Sequence, residues 1–411
     1  MHADATLIPT LVAGFVLAFV LGMLALRLKL SPLVGYLLAG VVVGPFTPGW
    51  VADGGLASQL SELGVILLMF GVGLHFSPAD LLKVRKVAVP AALAQVAGLT
   101  AAGWAVGRAF GLADAEAALT GFCLSLASTV VVLRTLEERR LVKSELGRVA
   151  IGWLVVEDLI VVLALVLLPL VAKSGAAGGG GNIWLDAGWA VLRVTAFVGF
   201  MLVVGSRALP WLLVRIAHTK SRELFTLGVL AIALGIAWLA SAVFGASFAL
   251  GAFVAGLVLN ASPLGHSAAE RSLPLRDAFA VIFFVSVGML FDPRTLLERP
   301  AAVAALVGVV IFGGSVLAWA LARLGRVPAS DARLLGASFG QIGEFSFVLA
   351  GVGVATKLMS RDTHDLVLAA ALISIALNPF VLRAADALGR RTRPPAVDRL
   401  AREGTAADAR G

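Results

Sequence analysis

Two adjacent acids, Glu157 and Asp158, stand in the middle of the apolar stretch GWLVVEDLIVVLAL. A charge at the centre of a hydrocarbon layer costs several kcal/mol, so acids are rare there without a use. Taking a carboxyl out of water favours its protonated form, and a second acid close by favours that form further. Such a group accepts either a proton or a cation on the same oxygens. Competition between the two is the simplest physical basis for exchanging one for the other. Successive helix positions point about 100° apart, so the pair cannot share one face. One acid is expected to face a site and the other a neighbouring helix or cavity. The plainer alternative, an acid hydrogen-bonded or paired with Arg for folding, bears more on Glu157 than on Asp158.

Two further polar clusters interrupt apolar stretches. LSLASTVVVLRTL carries Ser125, Ser128 and Thr129, and GASFGQIGEFSFVLAG carries Gln341 and Glu344 among Gly340, Gly343 and Gly351. Glycine weakens a helix by about 1 kcal/mol per residue relative to Ala. Both segments are expected to be broken helices whose backbone groups and dipole ends face a site at the membrane midplane. The hydroxyls could instead back-bond within their own helix. Glu344 could act on the ion directly or tie the broken segment to a neighbour. Glu62 reads as a solvated or capping acid near a span end, and Arg134 as a side chain that snorkels or pairs with an acid.

The single cysteine, Cys123, lies in an apolar span, excludes an intramolecular disulfide and reads as packing. Five scattered histidines offer no metal-ligand spacing. No nucleophile–base grouping points to an enzyme. No cofactor is expected, and the one metal anticipated is a monovalent cation at Asp158.

The elements that must position these groups are membrane helices. Hydrophobic residues make up 59% of the 411, charged residues 14%, and the mean hydropathy is +0.97. A soluble domain carries about a quarter charged residues. Apolar stretches of ~20 residues, enough to cross a hydrocarbon core of ~30 Å, recur along the chain. They give about thirteen spans: 6–27, 32–46, 56–75, 87–110, 115–136, 145–172, 184–212, 221–243, 246–260, 276–291, 301–322, 331–355 and 364–388. The formal charge of +8 is distributed by topology. Lys83/Arg85/Lys86, Arg139/Arg140/Lys143, Arg215/Lys220/Arg222 and Arg271/Arg276 fall in connections on one side, and far fewer basic residues on the other. The positive-inside rule then places the N-terminus outside and the C-terminus in the cytoplasm of a bacterial inner (plasma) membrane. The basic balance reports orientation in a bilayer and not a nucleic-acid partner. The first apolar segment lacks the basic flank and cleavage site of a signal peptide and reads as a retained span.

Internal similarity organises the spans. GYLLAGVVVG (35–44) resembles GAFVAGLVLN (251–260) at an offset of 216, and FGVGLHFSP (70–78) resembles VSVGMLFDP (285–293) at 215. The same offset carries Ser128 onto Glu344. A transmembrane antiporter-like domain over 1–390 is therefore expected to comprise repeat one (6–172), a lone linker helix (184–212) and repeat two (221–388). The single linker inverts the second repeat, as in alternating-access carriers. The loop Ser174–Gly181 reads as flexible and external, and 391–411 as a disordered cytoplasmic tail.

These residues resemble the Kef-type branch of the monovalent cation:proton antiporter family 2, within the potassium efflux and sodium–proton exchanger superfamily. The likeness covers nearly all of 6–388. It rests on GYLLAGVVVGP (35–45), SELGVILLMFGVGL (61–74), the Ser128/Thr129 segment, GWLVVEDLIVV (152–162), FFVSVGM (283–289) and GQIGEFSFVLA (340–350). The resemblance implies an all-α polytopic membrane protein of about thirteen transmembrane helices with a dimerisation domain and a core domain. Two broken helices, 115–136 and 331–355, would cross in the core.

It implies K⁺ or Na⁺ exchange for H⁺, with Asp158 matching the ion-binding acid. Glu157 stands where electrogenic sodium exchangers carry Asp and potassium efflux members often carry Gln, which leaves the ion open. Ser128 and Thr129 would supply oxygens, with Ser125, Gln341, Gly343 and Glu344 supporting the breaks. The absence of a basic residue within 301–322 resembles electroneutral exchangers. A homodimer in the lipid bilayer is implied. Many Kef-type proteins append a cytoplasmic nucleotide-binding domain; the chain ends too early for one, so that form of gating would need a separate regulatory subunit. The rival readings are an ion channel, expected to show a pore-lining ring instead of a buried acid pair, an organic-anion carrier, and a carrier subunit that depends on a partner.

Overall fold

A computed structural model describes residues 7–47, 54–75, 78–176 and 183–391. The expected disorder of the tail beyond Arg391, and most of the loop read as flexible, lie outside the described residues. Those residues form helices and turns with no strand, as an apolar chain in lipid must, since every backbone N–H and C=O has to bond within its own segment.

The helices are α1 Leu7–Arg27, α2 Pro32–Val43, α3 Gly54–His75, α4 Pro78–Ala109, α5 Asp114–Leu124, α6 Thr129–Glu138 and α7 Glu145–Ala176. There follow α8 Ile183–Phe200, α9 Ser206–Ala217, α10 Arg222–Phe244, α11 Phe248–Asn260, α12 Gly265–Met289 and the short α13 Thr295–Glu298. The last are α14 Pro300–Gly308, α15 Ser315–Leu324, α16 Ala329–Phe339, α17 Glu344–Ala355 and α18 Arg361–Arg391. Single π-helical stretches, Met201–Gly205 and Val309–Gly314, join α8 to α9 and α14 to α15. Helix occupies each of the ranges read as spans. Among the described residues, eight continuous stretches are long and apolar enough to cross a membrane by length and composition, and three apolar helices are shorter. Several helices end on a basic residue in the left-handed region, such as Lys29, Arg140 and Lys220 (φ 59°, 57° and 56°). A cation there complements the helix dipole while its long side chain reaches water.

Two spans are longer than their apolar stretches suggested. α4 starts at Pro78 and not 87, and α12 at Gly265 and not 276. The expected ends followed charge, whereas a helix continues into the polar layer wherever its backbone bonds close. As a result Arg271 and Arg276, read as connection residues, lie on α12. The Arg276 stem packs so closely on Gly71 of α3 that a Cβ there would strike it, and its guanidinium bonds Asp277 at 2.7 Å.

Packing divides the helices into two groups. α1, α2, α3, α10, α11 and α12 pack on one another, with α12 and α11 both laid against α3. α4 to α7 pack with α14 to α18, and α8 and α9 run alongside α10 and α11. Within the first group two glycine pairs allow backbones to touch, Gly40 against Gly288 and Gly73 against Gly256. A Cβ at Gly40 would meet the Val285 carbonyl and one at Gly256 the Phe70 carbonyl; one at Gly288 would meet the Leu37 carbonyl and one at Gly73 the Phe253 carbonyl. Small residues at helix crossings are how apolar helices gain van der Waals contact in lipid, where hydrophobic exclusion drives nothing.

Candidate functional site at the crossing of two broken helices

The second group is organised by two interruptions. Residues 125–128 separate α5 from α6, and 340–343 separate α16 from α17. Each break leaves helix-terminal N–H and C=O groups that need partners inside the protein. The two breaks supply one another: the Gly343 N–H donates to the Leu126 carbonyl at 2.7 Å. A Cβ on Gly343 would stand 2.6 Å from the Ala127 oxygen, so the two breaks can cross this closely only with glycine.

Ser128 is the N-cap of α6. Its hydroxyl oxygen accepts from Val131 N–H at 3.3 Å and its hydroxyl donates to Glu344 Oε2 at 2.9 Å. Glu344 lies in the first turn of α17, where a carboxylate complements the dipole. The Gln341 amide is oriented by its surroundings: its oxygen accepts from Ser128 N–H and its nitrogen donates to the Ile342 carbonyl, both at 2.8 Å. Ser346 donates to the Cys123 carbonyl at 2.6 Å. Ser125 turns back to its own helix, donating to the Phe122 carbonyl at 2.7 Å.

α7 brings both acids to the crossing. Glu157, 1% exposed, accepts the Ala127 N–H on Oε2 at 3.0 Å, capping an orphan of the first break, and has the Trp153 indole as a second, side-chain donor. The Trp153 indole lies one helical turn away on the Glu157 side of α7 and stacks on Phe339 with centroids 5.1 Å apart. Asp158, 8% exposed, lies within electrostatic reach of Glu344 and Glu157 and beside the Thr129 hydroxyl. The Thr129 hydroxyl serves Asp158 as a side-chain donor.

Ser125, Ser128, Thr129, Glu157, Asp158, Gln341, Gly343 and Glu344 are therefore at or beside the crossing, while Glu62 and Gly351 line a cavity outside it. The acids divide as the helix geometry requires, Glu157 to the first break and Asp158 toward Thr129 and Glu344. Cys123 is buried as expected, and Arg134 pairs with Glu138 at 3.1 Å.

Sequence reading missed several supports. Ser374 of α18 accepts the Ile342 N–H at 3.2 Å, and Asn378 donates to the Ala337 carbonyl at 2.9 Å, so α18 braces the second break. Their one-turn spacing in ALISIALNPF was the available signal. It also missed Arg276 on α12, which lies within electrostatic range of Glu344.

A cavity of about 670 Å³ opens between the two helix groups. Glu62, Asp292, Asp362 and Asp365 line its rim, and Leu165, Phe347 and Val348 line it toward the crossing. On the opposite side Tyr36 of α2 lies within reach of the charges of Asp277 and Arg134, and the helix groups meet there.

Buried acids and broken-helix ends brought together between two groups of helices are the architecture of a secondary transporter. The fold matches that of the sodium proton antiporter MjNhaP1 from Methanocaldococcus jannaschii with a TM-score of 0.70, over 92% of this chain and 97% of that one, at 16% identity. In sequence the chain is 55% identical over 383 residues to YbaL of Escherichia coli, whose name assigns it provisionally to cation/proton antiport; the match covers 93% of this chain and 69% of YbaL. It is 30% identical to the glutathione-regulated potassium-efflux system protein KefC of Cronobacter sakazakii over 87% of its own length, and spans 57% of that protein. Residues 15–385 match the sodium/hydrogen exchanger transmembrane family, and the chain belongs to it.

Proposed function

We propose that the chain exchanges K⁺ or Na⁺ for H⁺ across the bacterial inner membrane by alternating access, with Asp158 as the carboxylate for which the two compete. The observation that carries this reading is Asp158 itself, buried at the crossing beside the Thr129 hydroxyl and within electrostatic reach of Glu344 and Glu157. Three acids held together out of water are costly unless a proton or a cation is shared among them, and a desolvated monovalent cation needs such oxygens. Glu157 serves as co-ligand or modulator, Ser128 fixes Glu344, and Gln341 and Gly343 hold the breaks.

The two halves are read as inverted repeats around the linker of 184–212. In support, the offset of 215–216 exchanges the Gly40–Gly288 pair with the Gly256–Gly73 pair, down to the carbonyls they meet. The Ser128–Glu344 hydrogen bond joins positions 216 apart, as a contact on the local two-fold axis would. Such an axis lies in the membrane plane and puts the site at the midplane. A homodimer rests on the family resemblance, and the N-terminus is read as outside.

The test is reconstitution in liposomes with a trapped pH dye, an imposed ΔpH and external K⁺, Na⁺ or Li⁺. A cation-triggered pH change that persists with the potential clamped and disappears in Asp158→Asn is expected, and the effective cation names the substrate. Exchange retained in folded Asp158→Asn would remove Asp158 from the mechanism. A folded wild-type protein silent to every cation would favour a channel or a carrier awaiting a partner subunit.

A further inference from the structure

Two oxygens beside the second break stand outside the exchange chemistry above. Ser315 Oγ at the start of α15 and Asn378 Oδ1 on α18 are buried, and neither has a hydrogen-bond partner among the described residues. Asn378 is 1% exposed. Its amide nitrogen is committed to the Ala337 carbonyl in the last turn of α16, so its oxygen lies at that end of the helix. Ser315 reaches the same end from α15: a Cβ on Gly340, the residue that follows α16, would strike its hydroxyl oxygen. A buried polar atom without a partner is costly, and each one in a native protein calls for an explanation.

The surroundings are rich in acceptors. The same Cβ on Gly340 would stand 3.1 Å from the Ile311 carbonyl, in the π-helical stretch Val309–Gly314, and one on Gly314 would stand 3.3 Å from the Phe339 carbonyl. A helix C-terminus leaves its last carbonyls without intrahelical donors and carries about half a negative charge. At Gly340 no backbone N–H closes the turn among the described residues.

The first repeat supplies the comparison. At the offset of 215, Thr100 of α4 corresponds to Ser315 and Gly121 of α5 to Gly336. A Cβ on Gly121 would meet the Thr100 carbonyl, and one on Gly336 the Ser315 carbonyl. Thr100 Oγ1 is likewise buried without a partner. There the likeness stops. The end of α5 is closed by Ser125, whose N–H and hydroxyl both donate to the Phe122 carbonyl. Nor is there a counterpart of Asn378, since Val162 and Leu163 occupy the corresponding places on α7. The end of α16 is the one left open, and it has the additional oxygen.

We propose that the C-terminal end of α16 holds a second monovalent cation, K⁺ or Na⁺, bound by Ser315 Oγ, Asn378 Oδ1 and the carbonyl oxygens around them. Hydroxyl, amide and carbonyl oxygens gathered at the negative end of a half-helix are a ligand set for a desolvated monovalent cation. This ion is resident and separate from the one exchanged at Asp158. Its charge offsets the end of α16 and ties α15, α16 and α18 together at the second break.

Thermal unfolding tests this in detergent, with K⁺ or Na⁺ replacing N-methyl-D-glucamine at constant ionic strength. The Asp158→Asn background is used, so that the carboxylate of the exchange site does not contribute. A saturable rise in melting temperature of about 2–4 °C is expected for the better-fitting ion. Ser315→Ala removes an oxygen that bonds nothing else among the described residues, so it is expected to fold. Added to that background, it is expected to lose at least half of the cation-dependent rise. Thr100→Ala, the equivalent change at the closed end of α5, is expected to leave the rise intact. Absence of any rise in Asp158→Asn would overturn the proposal and leave these oxygens to water. A rise that Ser315→Ala leaves whole, or that Thr100→Ala removes equally, would overturn it too. Should Ser315→Ala fail to fold, Ser315→Cys is read by the same criteria, because sulfur is a poor ligand for a hard cation.

Discussion

At the scale of single residues the site is built on shared hydrogen bonds. The Ser128 hydroxyl caps α6 and, with its one proton, satisfies Glu344 across the crossing. Ser128→Ala removes both interactions and leaves a carboxylate oxygen buried without a donor. The expected cost is about 1–3 kcal/mol, read as a fall in detergent melting temperature. An unchanged melting temperature would mean that Glu344 finds another donor. Asp158 stands apart from its neighbours. Glu157 has a backbone N–H on one oxygen and Glu344 has Ser128, whereas Asp158, beside the Thr129 hydroxyl, keeps slight exposure among two other acids. That difference is in keeping with the proposal that Asp158 carries the exchanged proton while the others hold the geometry.

At the scale of elements the two breaks matter more than any helix. Each exposes backbone groups that the other, or α7, satisfies, and closeness depends on Gly343. Gly343→Ala sets a methyl 2.6 Å from the Ala127 carbonyl oxygen, in backbone that cannot swing aside. It is expected to abolish exchange and lower the melting temperature, and Gly343→Val to do so more severely. Wild-type rates in Gly343→Ala would show that the breaks separate during transport without cost. The positions of both breaks were legible because their causes are local: clustered glycines at 340–343, and hydroxyls that compete for backbone hydrogen bonds at 125–129. The ends of α4 and α12 were not, because charge marks where lipid stops and not where a helix does.

At the scale of the whole molecule the cavity lies on one side of the crossing and the Arg134, Asp277 and Tyr36 contacts on the other. With the proposed orientation this is a state open to the outside. Gly351 lines the cavity with open space around it, and the sole native thiol, Cys123, is 0% exposed. Gly351→Cys is expected to react with a membrane-impermeant maleimide added to intact cells, while the parent protein stays unlabelled. Labelling only after permeabilisation would reverse the assigned topology.

The sequence alone was enough to establish residence in a membrane, the succession of helices, the two interruptions and the acids beside them. Each of these follows from local composition: hydropathy over one span, glycine density over one turn, a charge where water is absent. The partners came only with the tertiary structure. No local pattern tells Glu157 that its oxygen will meet the Ala127 N–H, or Ser128 that it will meet Glu344 216 residues away. A break creates orphan backbone groups at a known place in the chain, but which side chain reaches them is decided by how the helices cross. The same holds for Arg276, a connection residue by charge that packing lays along Gly71 of α3.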